Sequence, residues 1–154
     1  MRGCDWVAIR NLTITLGILT GFAASSAVFA INWHRWAPGG PWNTLVTKIS
    51  FSAAATWALS ALVMVGVLMA VAGSFCSCSA SIPACATACS LLTIAMRTLL
   101  GGMIGLFAIC TVATADDELW DNINFVAGLF LVAGVCAAAM ASVAIAAALI
   151  SSCQ

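Results

Sequence analysis

Four long stretches of the chain consist almost entirely of apolar residues, and short polar segments separate them. Lys, Arg, Asp, Glu and His are absent between Arg10 and His34, between Lys48 and Arg97, between Arg97 and Asp116, and after Asp121. A helix needs about 20 apolar residues to cross about 30 Å of hydrocarbon. The pattern therefore predicts four membrane-spanning helices, at residues 11–31, 50–74, 90–113 and 124–149.

Helices are favoured over strands because each run is continuously apolar, whereas a membrane barrel strand alternates over about ten residues. The polar connections, at 32–43, 76–89 and 116–122, are short and contain Pro38, Pro41 and Pro83. Short connections place consecutive helices side by side and antiparallel. We therefore predict an all-α fold, an integral membrane four-helix bundle with short loops, forming a single transmembrane domain over residues 1–154.

The first predicted span has an alternative interpretation as a cleaved signal peptide. Arg2 and Arg10 precede its apolar run, and small residues near Ala30 resemble a cleavage site. Asp5 and Trp6 interrupt the short basic region, and the run is long enough to remain in the membrane, so retention is favoured. Cleavage would leave three spans.

The composition also indicates a chain that is surrounded by lipid rather than by water. Hydrophobic residues make up 64% of the chain and charged residues 6%, against about 25% charged in soluble domains. Lipid can replace the polar surface that so few charges cannot supply. The formal net charge is zero, and the five basic residues are scattered, so nucleic-acid binding is excluded.

Four crossings sort the polar residues onto two sides of the membrane. The connections 32–43 and 116–122 share one side and carry most of the tryptophans, which we predict to be interfacial anchors: Trp33, Trp36, Trp42 and Trp120. A ligand-binding aromatic loop is the alternative. The other side holds both termini and three basic residues against two. This small excess favours the cytoplasm for the termini.

A cluster of cysteines marks the side of the termini: Cys76, Cys78, Cys85 and Cys89. Cysteines at the ends of membrane helices are sites of reversible palmitoylation on a cytoplasmic face. Disulfides become the expectation if this face is lumenal. A zinc site is disfavoured because the C-x-C spacing lacks paired knuckles, and the remaining interpretation is that the cysteines are small packing residues. No metal and no cofactor are predicted.

Arg97 is the one basic residue inside a predicted span, about two turns from its beginning. An ionisable group at membrane depth is a functional candidate. Its long side chain could also reach the headgroups or pair with Asp5, which is the favoured interpretation. The alternative is contact with a substrate, a lipid phosphate or a partner subunit.

Small residues recur every fourth position in the predicted spans. Membrane helices associate where such residues bring backbones together. The predicted helix-packing residues are Gly17, Gly21 and Ser25 in the first span, Gly101 and Gly105 in the third, and Gly134, Ala138 and Ser142 in the fourth. In the second span, Ser52, Thr56 and Ser60 are expected to donate hydrogen bonds to a neighbouring helix.

The layout resembles claudin-like and MARVEL-type tetraspan proteins in the number of spans. The first connection has tryptophans but no cysteine, so the claudin signature is missing and the resemblance implies no function.

The functional expectation rests on assembly. No carboxylate lies within a predicted span, which argues against a proton-coupled transporter, and almost no base is available to activate a nucleophile, so no enzyme activity is predicted. The favoured hypothesis is an accessory or scaffold subunit in a homo-oligomer or a larger membrane complex. The alternatives are a minimal oligomeric transporter or channel and a lipid-interacting, palmitoylated protein.

Overall fold

The computed structural model describes residues 6–36, 41–78, 83–115 and 125–153, and all of these are helical. The helices are α1 (Trp6–Trp36), α2 (Pro41–Cys78), α3 (Pro83–Ala115) and α4 (Phe125–Cys153). The described residues contain no strand. The predicted all-α fold with four helices is therefore confirmed.

Three helices are long and apolar enough to cross a membrane, over Val7–Trp33, Thr44–Ser74 and Cys85–Ala115. In α4 the apolar segment is shorter over the described residues, Phe130–Ala146. The outer surface is apolar as well: Val63, Ile94 and Phe130 are exposed by 62%, 62% and 72%. Exposed apolar surface of this extent indicates a solvent of lipid, and the chain is a multi-pass membrane protein.

Two prolines that were expected to interrupt helices instead begin them. Pro41 is the first residue of α2, and Pro83 is the first residue of α3. The first N–H groups of a helix have no partner within it, so a proline there loses no hydrogen bond, and its fixed φ suits the helix. The predicted connections 32–43 and 76–89 are therefore too long. The third connection, 116–122, lies outside the described residues.

The helices form a closed ring in which each packs against two others, in the order α1, α2, α3, α4 and back to α1. Phe22 of α1 stacks on Trp57 of α2, with ring centroids 4.9 Å apart. A disulfide joins Cys76 of α2 to Cys89 of α3. In each pair the two residues lie at similar distances from the link between their helices, as antiparallel neighbours require. The beginning of α1 and the end of α4 thus share the end of the bundle that carries the cysteines.

The core of the bundle is built largely from small side chains. Fully buried alanines, among them Ala23, Ala58 and Ala113, alternate with buried Leu99 and Met103. Lipid provides no hydrophobic contrast between helix surfaces, so close van der Waals contact must supply the association. Alanine permits that contact because its side chain ends at the Cβ atom.

Candidate functional site

The predicted helix-packing residues divide into an inward and an outward set. Gly17 and Gly105 face neighbouring helices: a Cβ atom built on them would lie 3.9 Å from Val143 and from Leu131. Ser142 is fully buried, and Ala138 is half-buried. The outward set is exposed, and none of its three glycines would bring a Cβ atom within 4 Å of another residue; this set is Gly21, Ser25, Gly101 and Gly134.

Among the described glycines, Gly102 lies closest to a neighbouring helix, and the sequence did not single it out. A Cβ atom on Gly102 would lie only 2.9 Å from Cγ2 of Val135 in α4. The four-residue spacing pointed to the adjacent Gly101 instead. Which of two consecutive glycines faces inward depends on the rotation of α3 about its axis, and the spacing alone does not fix that rotation.

The outward surface of α1 and α4 carries a small-residue face, defined here as Gly21, Gly134, Ala137, Ala141 and Ala144. All five residues are exposed. A groove of about 440 Å³ lies between α1 and α4 and shares Gly21 and Ala144 with this face; its other lining residues are Gly17, Thr20, Cys136, Ala139, Met140 and Val143. The groove walls are nearly all apolar, and they combine small residues with the larger exposed side chains of Met140 and Val143.

Thr20, at this groove, has a buried hydroxyl group without a hydrogen-bond partner. The residue is 2% exposed, and its Oγ1 atom finds no partner among the described residues. Hydroxyl groups elsewhere in the bundle donate to the carbonyl four residues earlier, as Thr13 does to Ile9 at 2.6 Å and Ser142 does to Ala138 at 2.8 Å. A buried unsatisfied hydroxyl destabilises a fold by about 1–3 kcal/mol.

Arg97 lies on the outer surface of α3 with its side chain exposed. The candidate span of α3 begins at Cys85, so at 1.5 Å per residue Arg97 is about 18 Å from that end. This is farther than the two turns predicted, because the helix begins at Pro83 rather than at residue 90. Exposed Ile94 and Ile104 flank it. A charge at the centre of a membrane helix costs about 3 kcal/mol on insertion scales, and the pairing partner considered from the sequence, Asp5, lies outside the described residues.

The hydroxyl groups of Thr56 and Ser60 in α2 donate to their own helix. Thr56 donates to the carbonyl of Ser52 at 2.9 Å, and Ser60 donates to the carbonyl of Thr56 at 3.0 Å. The expectation of interhelical hydrogen bonds is therefore wrong for these two hydroxyl groups. With Cys76 and Cys89 bonded at one level, Thr56 and Arg97 are separated by about 18 Å along the bundle axis at 1.5 Å per residue. They do not form one polar patch.

The four clustered cysteines lie in helices rather than in a loop: Cys76 and Cys78 end α2, and Cys85 and Cys89 begin α3. Cys76 and Cys89 are bonded to each other, with their Cα atoms 5.9 Å apart, and Cys85 is also disulfide-bonded. The side chain of Cys78 lies outside the described part. A bonded sulfur has no thiol to acylate, so palmitoylation of Cys76, Cys85 or Cys89 would first require reduction.

Three of the four tryptophans predicted as interfacial anchors lie in described helices. Trp33 belongs to α1 and stacks on Phe29 with ring centroids 5.7 Å apart, and its ring N–H has no partner among the described residues. Trp36 ends α1 and Trp42 lies in the first turn of α2, but their side chains are outside the described part, as is all of Trp120. The anchoring role stays a prediction.

Comparison of the chain with known protein families, with curated proteins and with solved structures finds no match. Function has to be argued from the surfaces of the bundle.

Proposed function

We propose that this protein acts by assembly, as an accessory or scaffold subunit whose bundle packs against membrane helices through its outer surface. The observation that carries the proposal is the small-residue face of α1 and α4, because its glycines and alanines are exposed and the described residues leave a groove beside Gly21 and Ala144. Small residues in lipid let a further helix approach closely. The occupant that this face fits best is a helix of a second copy.

Two alternatives receive less support. A polar path through an oligomer would have to join Arg97 and the hydroxyl groups of α2, which lie at different levels of the bundle and are partly engaged with their own helix. A palmitoylated, lipid-interacting protein would need free thiols at the cysteine end, where Cys76 and Cys89 are bonded.

Energy transfer between donor-labelled and acceptor-labelled copies of the full chain in vesicles tests the proposal. Gly21→Leu and Ala144→Leu place bulk on the small-residue face, and each is expected to weaken self-association about tenfold, the size of a helix-packing contact. Gly66→Leu is the matched control, because Gly66 is an exposed glycine of α2 with open space around it.

Equal energy transfer in the two face variants and in the Gly66→Leu control would contradict this mode of assembly. The helix content measured by circular dichroism and the Cys76–Cys89 bond report whether each variant keeps the fold. Gly17→Leu is unsuitable for this purpose, because Gly17 faces Val143 inside the bundle and a change there alters the fold itself.

A further inference from the structure

Arg97 is a charge on the outer surface of α3, and the described residues include no acidic side chain that could pair with it. The buried residues of α3 near it, Met96, Leu99 and Met103, face the core and are apolar. Arg97 lies on the opposite side, among exposed Ile94, Gly101 and Ile104. The nearby hydroxyl groups of Thr93 and Thr98 donate to carbonyl groups of their own helix and carry no charge. A cation in hydrocarbon requires a counter-charge or a polar contact, so the outer face of α3 is incomplete as it stands.

This chain has no Asp or Glu within the apolar stretches of its sequence. Its acidic residues are Asp5, Asp116, Asp117, Glu118 and Asp121, and all lie outside those stretches. A second copy adds only the same five residues. Self-association therefore brings no carboxylate from within an apolar stretch to Arg97.

We propose that the outer face of α3 around Arg97 docks a membrane-spanning helix of a different protein, one that carries an Asp or Glu at the depth of Arg97. Gly101 lies one turn further along the same face, and a Cβ atom built on it would meet nothing within 4 Å. The partner backbone can therefore approach closely beside the charge, where an arginine–carboxylate pair gains its hydrogen bonds. This deepens the proposed assembly function by naming the chemistry of one partner.

A designed probe tests the pairing. The full-chain protein is reconstituted in phosphatidylcholine vesicles at neutral pH with a synthetic polyleucine helix bearing one central Asp, and matched helices carry Asn or Leu there. Energy transfer should show the Asp helix binding about tenfold more tightly than the Leu helix. Arg97→Leu should remove that preference, Arg97→Lys should retain most of it, and Gly101→Leu should weaken binding of the Asp helix.

Three results would overturn the inference: equal binding of the Asp and Leu helices, a preference that survives Arg97→Leu, or a preference that disappears when phosphatidylglycerol is added. Loss of the preference on adding phosphatidylglycerol would indicate that Arg97 binds lipid phosphates instead of a carboxylate. These results are separable from failure of the assembly function, because the self-association test uses α1 and α4. If wild-type copies associate but the Asp helix binds no more tightly than the Leu helix, the carboxylate partner is contradicted and the assembly function is not.

Discussion

At the scale of single residues, the informative positions are those that break the regularity of the bundle. Serine and threonine hydroxyl groups satisfy themselves on their own helix, as at Thr13 and Ser142, which lets these residues sit in lipid or in the core at little cost. Thr20 is an exception, because its buried hydroxyl group has no partner among the described residues. Arg97 is a second irregular position, because it is a charged side chain on the outer face of α3. Thr20 lines the groove between α1 and α4.

Thr20→Val is expected to stabilise the isolated bundle. Valine has the same shape without a hydroxyl group, so the change removes a buried unsatisfied atom and gains about 1 kcal/mol. Thr13→Val, which loses the hydrogen bond to Ile9, should give no such gain. The denaturant or temperature midpoint of the purified protein in mild detergent measures both. A Thr20→Val midpoint below that of the wild type would show that the hydroxyl group has a partner in solution.

At the scale of helices, the sequence predicted the apolar runs but not the ends or the rotation of each helix. Pro41 and Pro83 were expected to lie in connections, and they instead begin α2 and α3 because a proline is accommodated in the first turn. The small-residue pattern located Gly101 and Gly105 on α3; Gly105 faces α4, but Gly102 rather than Gly101 is the other glycine that does so. Residues spaced every four positions lie on one face of a helix. Packing against the neighbouring helices determines whether that face is buried or exposed.

The contact of α3 with α4 at Gly102 should be sensitive to a single methyl group. Val135 is 2% exposed and is stiff at χ1, so Gly102→Ala must push it aside, and Gly102→Val should destabilise the bundle by about 1–3 kcal/mol. Gly101→Val, on the open side of the same helix, should change stability by less than about 0.5 kcal/mol. Unfolding in detergent monitored by circular dichroism compares the two, and Val135→Ala should rescue Gly102→Ala if this contact is the cause.

At the scale of the whole molecule, the disulfide bears on how the bundle sits in its membrane. Disulfides form and persist in oxidising compartments, where two cysteine thiols lose two electrons and two protons by exchange with the disulfide of an oxidoreductase. A disulfide at this end is the expectation given above for a lumenal face, and the side of the membrane on which the termini lie stays a prediction. The excess of three basic residues over two favoured the opposite orientation, and so small a difference carries little weight.

Thiol labelling on intact cells decides between the two orientations. In a variant with Cys110 and Cys136, the free cysteines of the described residues, both changed to alanine, Cys76 and Cys89 should resist a membrane-impermeant maleimide until a reductant is added. Cys76→Ser should expose the partner thiol to the reagent without reduction, and a tag on the C-terminus should be open to external protease. Absence of labelling at Cys76 and Cys89 even after reduction, together with protection of the tag, would place this end in the cytoplasm, whereas labelling of Cys76 without reductant would show that it is not bonded to Cys89.

The sequence by itself determined the solvent, the helical secondary structure and the number of helices. These follow from long uncharged apolar runs, since lipid requires every backbone N–H and C=O group to be paired within its own segment. The tertiary structure alone decided the inward position of Gly102, the outward position of Arg97 and Gly21, the pairing of Cys76 with Cys89 and the orphaned hydroxyl group of Thr20. Inner and outer faces of a membrane bundle are both apolar, so hydrophobic periodicity, which orients helices in water, carries little information about rotation here. Contacts between helices supply that information.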